Sequence, residues 1–293
     1  MIRLAIFGND RQTAGFENLA TLFSQFGTYS PMLDISVETD YLKFLTSTAG
    51  IANLKARPFD KGNFHADLVL SIGGDGTFLT TAKTVGVAQT PIMGINSGHL
   101  GYLSAADIAD TRSLVTDIIE GNYVVQPRTV IEISSDTPGM LPEHPFALNE
   151  VAILKRDTAS MITVDTILDG SPLASYRGDG LIISTPTGST GYNLSVGGPI
   201  VAPTATDWII SPIAPHSLNM RPLVVNDSIT LDISTRSRST SYLLSIDGKA
   251  TPLPIDITLR LTKAKYVVNV VHQTGHNFID TLRRKMLWGI DGL

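Results

Sequence analysis

An apolar run leads straight into glycines in Asp67-Leu68-Val69-Leu70-Ser71-Ile72-Gly73-Gly74-Asp75-Gly76-Thr77. The apolar part predicts a buried strand, and residues 78–85 predict a helix behind it. Glycines at such a corner tolerate positive φ and let backbone N–H groups approach a ligand closely. A helix N-terminus adds unpaired donors and partial positive charge, which suit phosphate. We therefore predict a phosphate loop made by Gly73, Gly74, Gly76 and Thr77.

Asp75 is the carboxylate inside this loop. A structural acid is poorly placed where a phosphate binds, whereas a base that accepts a hydroxyl proton is useful there. The alternative is a tight turn without a ligand, since Asp and Gly both favour turns. The motif matches neither G-x-x-x-x-G-K-[ST] nor G-x-G-x-x-G, so neither fingerprint applies. We predict Asp75 as the catalytic base.

Length and composition restrict the class of protein. The chain has 293 residues, a net charge of −5 and 43% hydrophobic residues, enough for two domains with sizeable cores. The acidic balance argues against a nucleic-acid partner, and no apolar run approaches the ~20 residues of a membrane span. The N-terminus lacks signal-peptide features, and the absence of cysteine fits a cytoplasmic protein. The six histidines show no metal-binding spacing, so no protein-held metal is expected.

Two patterns divide the chain. Residues 1–125 alternate strands (2–7, 67–72, 91–95) with helices (16–26, 78 to about 87, 110–120), which predicts an α/β domain with a parallel sheet. Residues 126–275 carry short runs of Val, Ile, Thr and Leu between turn residues, which predicts an all-β, antiparallel, sandwich-like domain. These runs are 129–134, 147–154, 162–168, 228–233, 242–246, 255–261 and 266–271. Residues 276–293 return to helical spacing between Phe278 and Trp288 and need an apolar surface to cover.

A second distinctive loop follows an apolar run at Ser184-Thr185-Pro186-Thr187-Gly188-Ser189-Thr190-Gly191-Tyr192-Asn193-Leu194-Ser195. Its hydroxyls and backbone groups offer donors to phosphate or ribose oxygens without added charge. Just upstream, Arg177-Gly178-Asp179-Gly180 places a cation and an anion beside it. The alternatives are a polar surface loop and an exposed hairpin turn, where an ion pair contributes little.

Glu150, next to Asn149, lies within an apolar strand pattern. A buried Glu without a partner is unfavourable, so Glu150 either points to solvent or meets a polar ligand. Ribose hydroxyls suit it, because an ionised carboxylate only accepts hydrogen bonds.

A further stretch, Gly94-Ile95-Asn96-Ser97-Gly98-His99-Leu100-Gly101-Tyr102, follows a predicted strand, at the usual ligand edge of an open α/β sheet. Tyr102 either lines one side of a nucleobase pocket or is a structural aromatic residue at the edge of the core.

Taken in this order, the motifs at 73–77, 94–102, 148–150, 179–180 and 184–192 resemble those of the NAD kinases, and the resemblance extends from about residue 5 to residue 288. It implies transfer of the γ-phosphoryl group of ATP to the 2′-hydroxyl of the adenosine ribose of NAD, giving NADP. It also implies an α/β domain, a β-sandwich domain and a C-terminal helix that packs back on the first domain. A divalent cation, Mg²⁺, is expected to arrive with ATP.

The resemblance also implies residue roles. It makes Asp75 the base, places Asn149 and Glu150 at the dinucleotide and Tyr102 near its adenine. Asp179 would reach NAD from a neighbouring subunit, so a homodimer or homotetramer is expected. The predicted NAD-binding set is completed by Gly76, Arg177, Thr190, Gly191, Tyr192, Asn193, Leu194, Ser195 and Ala214. This chain departs from common family patterns at Ser160, Gly191 and Lys249.

Two other functions remain open at this stage. A lipid or sugar kinase could share the Gly-Gly-Asp-Gly loop, but the Asn149-Glu150 pair and the hydroxyl-rich loop argue against it. A non-catalytic dinucleotide sensor would keep the binding loops and have no use for Asp75.

Overall fold

A computed structural model of the chain describes residues 1–13, 15–51, 54–97, 101–103, 106–108, 111–157, 160–275 and 277–286. Gly98, His99, Leu100 and His276, and the predicted end of the tail helix at Trp288, lie outside the described residues. By internal packing the chain forms two compact units, Met1–Pro127 with Val268–Leu293, and Arg128–Val267. None of the helices in these described ranges has the length and apolar character needed to cross a membrane.

The first unit is an α/β structure with an eight-stranded sheet. Its strands are β1 (Ile2–Gly8), β2 (Leu33–Glu38), β3 (Arg57–Phe59), β4 (Leu68–Gly73), β5 (Ile92–Asn96), β6 (Ala106–Asp107), β7 (Tyr123–Arg128) and β20 (Val268–Gln273). Its helices are α1 (Phe16–Thr28), α2 (Thr39–Ser47), α3 (Asp75–Val85), α4 (Thr111–Glu120) and α6 (Phe278–Met286). The strand order is β3-β2-β1-β4-β5-β20-β7, with β6 beside β5.

Burial explains why these segments fold as predicted. The apolar residues of α1 recur at helical spacing, and Leu19, Leu22, Phe23 and Phe26 are buried. All six residues of β4 are buried, because β4 pairs in parallel with β1 on one side and β5 on the other. A strand covered on both faces reads as a continuous apolar run. The predicted parallel α/β domain is confirmed.

The strand order places the glycine loop at a topological switch point. From β1 the chain proceeds outward through β2 to β3 and then returns to the other side of β1 as β4. At such a reversal, the loops after the two central strands diverge and leave a crevice outside their carboxyl ends. The loop that begins at Gly73 follows β4 into this crevice.

The second unit contains two six-stranded antiparallel sheets. One has the order β15-β14-β13-β10-β17-β18 and the other β12-β11-β16-β19-β8-β9. The strands are β8 (Ile131–Ser135), β9 (Phe146–Ala147), β10 (Glu150–Lys155), β11 (Ile162–Leu168), β12 (Ser171–Gly178), β13 (Gly180–Ser184), β14 (Asp207–Ile213), β15 (Leu223–Asn226), β16 (Leu231–Ser237), β17 (Ser241–Ile246), β18 (Lys249–Pro254) and β19 (Leu259–Lys263). A short helix, α5, spans Tyr192–Ser195.

One hydrophobic core joins the two sheets of this unit. It takes alternate residues from each, such as Val151 and Ile153 from β10 and Ile162 and Val164 from β11, around the buried Trp208. This alternation is typical of a sandwich. The predicted antiparallel sandwich is confirmed.

Two strand assignments were wrong. Residues 147–154 form two strands, β9 and β10, separated by a bend at Leu148 and Asn149. The run 266–271 overlaps β20, which pairs in parallel with β5 in the first sheet (Val270 opposite Ile92) and not within the sandwich. Periodicity identifies a strand but not its partner. The domain limits at residues 125 and 275 stay predictions.

The C-terminal helix α6 belongs to the first unit, as expected. It buries Thr281 and Leu282 and ends in three cations, Arg283, Arg284 and Lys285. The packing of the tail helix on the α/β domain is therefore confirmed.

Candidate active site

The glycine loop is shaped by close contacts on one side and open space on the other. Gly73 has φ 154°, and a Cβ there would lie 2.4 Å from Oγ1 of Thr77. The carbonyl of Gly74 accepts hydrogen bonds from the N–H groups of Thr77 (3.0 Å) and Phe78 (3.1 Å), which begins α3. A Cβ at Gly74 or Gly76 would meet nothing within 4 Å. The helix N-terminus, with its unsatisfied N–H groups, is thus open to an anion.

Asp75 is the first residue of α3, and its carboxylate is held by the backbone of a neighbouring segment. Oδ2 accepts a hydrogen bond from the N–H of Tyr102 (3.0 Å), and Oδ1 accepts one from the N–H of Leu103 (3.2 Å). The side chain remains partly exposed. Each carboxylate oxygen keeps a further lone pair. Asp75 is therefore oriented and still able to accept a proton from a bound hydroxyl group.

Tyr102 connects Asp75 to the C-terminal helix. Nζ of Lys285 lies 4.1 Å from the centroid of the Tyr102 ring, a cation–π contact. Burial raises the pKa of Tyr102, and the negative charge of Asp75 adds to this effect. The Tyr102 hydroxyl is buried and has no hydrogen-bond partner among the described residues. Tyr102 stands out in the sequence as an aromatic residue at a strand end, whereas Lys285 has no such signal.

In the second unit, Asn149 and Glu150 form a polar pair at the start of β10. Glu150 is 7% exposed, so the alternative that it points to solvent is wrong. Within the described part of the chain, Oδ1 of Asn149, Oε2 of Glu150 and Oγ1 of Thr187 are buried without hydrogen-bond partners. Each such atom costs about 1–3 kcal/mol of folding free energy. Buried polar atoms that lack partners favour a ligand that supplies them.

Asp247 holds this pair in place from one side. Its carboxylate accepts hydrogen bonds from the N–H groups of Leu148 (2.9 Å), Asn149 (2.7 Å) and Glu150 (3.1 Å). Asp247 and Gly248 form the two-residue turn between β17 and β18, with φ 47° and 80°. An Asp-Gly pair is typical of such a hairpin turn. The Asp-Gly pair in the sequence indicates a turn. It does not indicate that this turn contacts residues about a hundred positions earlier.

The electrostatics of Glu150 follow from this arrangement. Burial, and to a smaller extent the nearby Asp247 carboxylate, raise the pKa of Glu150 from 4.5 to about 7. The N–H of Tyr192 acts in the opposite direction. The ionised form of Glu150 is therefore only partly compensated in the free protein, and hydrogen-bond donors from a ligand would stabilise it.

The hydroxyl-rich loop covers the same pair from the other side. The Thr185 N–H donates to the Asn149 carbonyl (2.8 Å), and the Thr185 hydroxyl donates to the Leu148 carbonyl. A Cβ at Gly188 would lie 2.1 Å from the Asn149 carbonyl oxygen, so only glycine fits there. A Cβ at Gly191 would lie 3.1 Å from Oε2 of Glu150. The loop is thus packed against Asn149 and Glu150, and the polar-surface-loop alternative is wrong for buried residues 185–189.

The predicted NAD-binding residues 190–195 differ in how deeply they are buried. Asn193 is fully buried, and its amide is used inside the loop: Nδ2 donates to the carbonyls of Ser189 and Pro199, and Oδ1 accepts from the Ser211 hydroxyl (2.7 Å). Tyr192 and Ser195 are exposed, whereas Thr190, Gly191 and Leu194 are partly buried. Asn193 therefore sets the shape of the loop.

Asp179 lies where the chain passes from β12 to β13, that is, from one sheet to the other. Its carboxylate forms an ion pair with Lys155 (2.7 Å), while Arg177 is exposed. Cβ atoms at Gly178 and Gly180 would lie 2.7 Å and 2.2 Å from the carbonyl oxygens of Ile213 and Ile153. The tight packing of these glycines holds Asp179 at the surface.

Ala214 and Lys249 are both exposed. Ala214 follows β14 with φ 42°, a left-handed conformation that is uncommon for a residue with a Cβ. Lys249 begins β18. No group of three or more His, Cys, Asp or Glu residues in the described part of the chain is placed to hold a metal ion.

Comparison with protein-family models matches both parts of the chain. Residues 42–123 match the N-terminal domain of ATP-NAD kinases, and residues 148–273 match the C-terminal domain. Two similar curated proteins are NAD kinases from Bacteroides fragilis, 43% identical over 291 residues, and Porphyromonas gingivalis, 40% identical over 292 residues. Each alignment covers 99% of both chains.

Two solved structures have the same fold. One is an NAD kinase from Archaeoglobus fulgidus in complex with ATP, with a TM-score of 0.70 and 25% identity over 97% of both chains. The other is a yeast NADH kinase complexed with NADH, with a TM-score of 0.87 and 21% identity; it covers all of this chain and 89% of its own. The family-model matches and the full-length relatives identify the protein: the chain belongs to the NAD kinase family.

Proposed function

We propose that this chain is an NAD kinase, which transfers the γ-phosphoryl group of ATP to the 2′-hydroxyl of the adenosine ribose of NAD and gives NADP. The observation that carries the proposal is the Asn149-Glu150 pair, in which one oxygen of each side chain is buried without a hydrogen-bond partner among the residues that the structure describes. Ribose hydroxyls can donate hydrogen bonds to these oxygens, whereas the hydrocarbon chains of a lipid acceptor cannot. Family membership supports the same activity.

In the reaction we propose, Asp75 acts as the base. The bond between O2′ and Pγ forms, the bond between Pγ and the leaving oxygen of ADP breaks, and the 2′-hydroxyl proton passes to the Asp75 carboxylate. The N–H groups of Tyr102 and Leu103 hold that carboxylate in position. A positioned base typically contributes 10²–10⁴-fold to the rate. The divalent cation, for which we propose Mg²⁺, enters as part of the ATP complex.

The dinucleotide is held, in this proposal, by Glu150 and Asn149 at its ribose hydroxyls. Gly76, Thr190, Gly191, Tyr192, Leu194, Ser195, Ala214 and Arg177 line its path, and Tyr102 lies near the adenine. Asn193 contributes through the shape of the loop, because its amide is used internally. Gly73, Gly74, Gly76 and Thr77 bind the phosphates of ATP.

We also propose that Asp179 acts on NAD bound to a neighbouring subunit, in a homodimer or homotetramer. Its partly exposed side chain supports this role, since a residue at the passage between the two sheets can reach a partner chain. We place the enzyme in the cytoplasm.

The direct test incubates the purified protein with NAD, ATP and Mg²⁺ and measures NADP with an NADP-specific dehydrogenase. We expect NADP to form and Glu150→Gln to reduce it. Diacylglycerol, sphingosine and free sugars serve as alternative acceptors in parallel. Phosphorylation of one of these without NADP would support the other kinase class, and NAD binding without turnover would support a sensor.

A further inference from the structure

Three cations end α6, and one of them differs from the others. Cations near a helix C-terminus are stabilised by the helix dipole, which accounts for the exposed Arg283 and Arg284. Lys285 is partly buried, and its ammonium lies over the ring of Tyr102, 4.1 Å from the centroid. The helix dipole alone does not explain why the Lys285 ammonium lies over an aromatic ring.

Lys285 and Asp75 lie close enough for their charges to interact. Burial lowers the pKa of Lys285, and the negative charge of Asp75 opposes this effect. Tyr102 links the two residues, because its ring contacts Lys285 and its N–H donates to Asp75. The described residues provide no ion pair for Lys285. An ammonium held on an aromatic face keeps its three N–H donors for another acceptor.

The glycine loop is negatively charged, and this charge repels the phosphate groups of the donor. Gly73-Gly74-Asp75-Gly76-Thr77 carries one negative charge and no cation. Phosphoryl transfer depends chiefly on positioning and on neutralising the charge of the phosphate oxygens. A carboxylate base next to a triphosphate adds repulsion, which a nearby cation relieves.

We propose that Lys285 binds the triphosphate of the phosphoryl donor and neutralises charge on the transferring group. Its ammonium donates hydrogen bonds to phosphate oxygens, while Asp75 takes the hydroxyl proton. Lys285 and Asp75 thus act as a cation and a base on the same reacting centre, with Tyr102 as the positioning residue between them. This inference rests on the proposed function.

The competing role for Lys285 is structural support of the Tyr102 ring. A supporting role would affect the ligand that contacts Tyr102, for which we proposed the adenine of NAD. A phosphate-binding role affects ATP. The two roles therefore separate by which substrate loses affinity.

The test compares Lys285→Met, Lys285→Arg and the control Arg284→Met, which removes a neighbouring exposed charge from the same helix. We expect Lys285→Met to lower kcat/KM for ATP by about a hundredfold, as for other groups that stabilise transition-state charge. The KM for NAD should stay near the wild-type value. Lys285→Arg should restore most of the rate, and Arg284→Met should behave as wild type. Thermal unfolding verifies that each variant is folded, and Lys285→Gln replaces Lys285→Met if the latter is not.

Calorimetric titration with ATP and with inorganic tripolyphosphate, without NAD, gives a readout independent of turnover. We expect both ligands to bind more weakly to Lys285→Met than to Arg284→Met. Equal binding and equal kcat/KM for ATP in these two variants would overturn the inference, as would a loss confined to the KM for NAD. If the wild-type protein forms no NADP, the proposed function fails, and the titrations alone decide the role of Lys285.

Discussion

Replacing Glu150 with Gln should stabilise the free protein at alkaline pH while weakening its binding of NAD. The side chain is 7% exposed, and its Oε2 has no hydrogen-bond partner within the described residues. Gln keeps the size and the planar shape of the side chain but removes the charge. The variant therefore isolates the effect of ionisation in this buried position.

The magnitude follows from the pKa of Glu150, which burial and the Asp247 charge raise from 4.5 to about 7. An acid with a raised pKa in the folded state contributes stability that is fully present below pH 4.5 and is lost as pH rises through about 7. At about 1.4 kcal/mol for each pH unit, this interval corresponds to on the order of 3 kcal/mol. Above pH 7 the ionised carboxylate destabilises the wild-type protein by that amount.

The assay is thermal unfolding without ligand between pH 5 and pH 8.5. The difference in unfolding temperature between Glu150→Gln and wild type should be smallest at pH 5 and should grow with pH, so that at pH 8 the variant unfolds at a temperature roughly 6–12 °C higher. Glu143→Gln, which removes an exposed carboxylate from the same unit, should show no such pH dependence. A constant difference between Glu150→Gln and wild type across this range would refute the reasoning.

The same charge should govern binding of NAD. An ionised acceptor of ribose hydroxyls contributes roughly 1.5–3 kcal/mol, so Glu150→Gln should weaken NAD binding about tenfold to a hundredfold. ATP binding should change little. In wild type, the affinity for NAD should rise between pH 6 and pH 8 as Glu150 ionises, and this rise should be absent in the variant. Equal weakening of NAD and ATP would favour a purely structural role.

Three further substitutions test the rest of the site. Asp247→Asn should raise the KM for NAD by about tenfold, because the charged hydrogen bonds that Asp247 accepts from the N–H groups of residues 148–150 are worth about 1.5–3 kcal/mol each. Steady-state kinetics measure this KM, and an unchanged value would contradict the positioning role of Asp247. Gly188→Ala should lower the free energy of unfolding by about 1–3 kcal/mol, because the added Cβ would lie 2.1 Å from the Asn149 carbonyl oxygen. The control Gly27→Ala adds a Cβ in open space on α1 and should be neutral or stabilising. Thermal unfolding measures both effects. Mixing inactive Asp75→Asn with inactive Asp179→Ala should restore part of the activity if sites are shared between subunits; verified subunit exchange without recovery would place Asp179 within its own chain.

The local elements of the first unit were predictable because their signals are local. The spacing of Leu19, Leu22, Phe23 and Phe26 specifies α1, and the apolar run before Gly73 specifies β4. Weaker patterns gave no prediction for residues 33–59, where β2, α2 and β3 lie. Strand β20 was recognised as a strand but assigned to the wrong sheet, because its partner β5 lies about 180 residues earlier in the chain.

The candidate site was predictable as a set of residue types, and its supporting contacts were not. Asp75 and Glu150 stand out because a carboxylate among glycines or within an apolar run is locally unusual. Asp247 and Lys285 have no such local signal: one reads as a turn residue and the other as a helix-end cation. Their contacts with residues 148–150 and with Tyr102 depend on long-range packing that the sequence pattern does not specify.

The most direct test of the account is a comparison of wild type with Asp75→Asn in NADP formation and in substrate binding. Asn keeps the shape and one acceptor oxygen for the N–H groups of Tyr102 and Leu103, but it cannot take up the hydroxyl proton at neutral pH. We expect kcat to fall by about 10²–10⁴-fold, the usual contribution of a positioned base, while the calorimetric affinities for NAD and ATP stay near wild type. Near-normal turnover by the folded variant would contradict the assignment of Asp75 as the base.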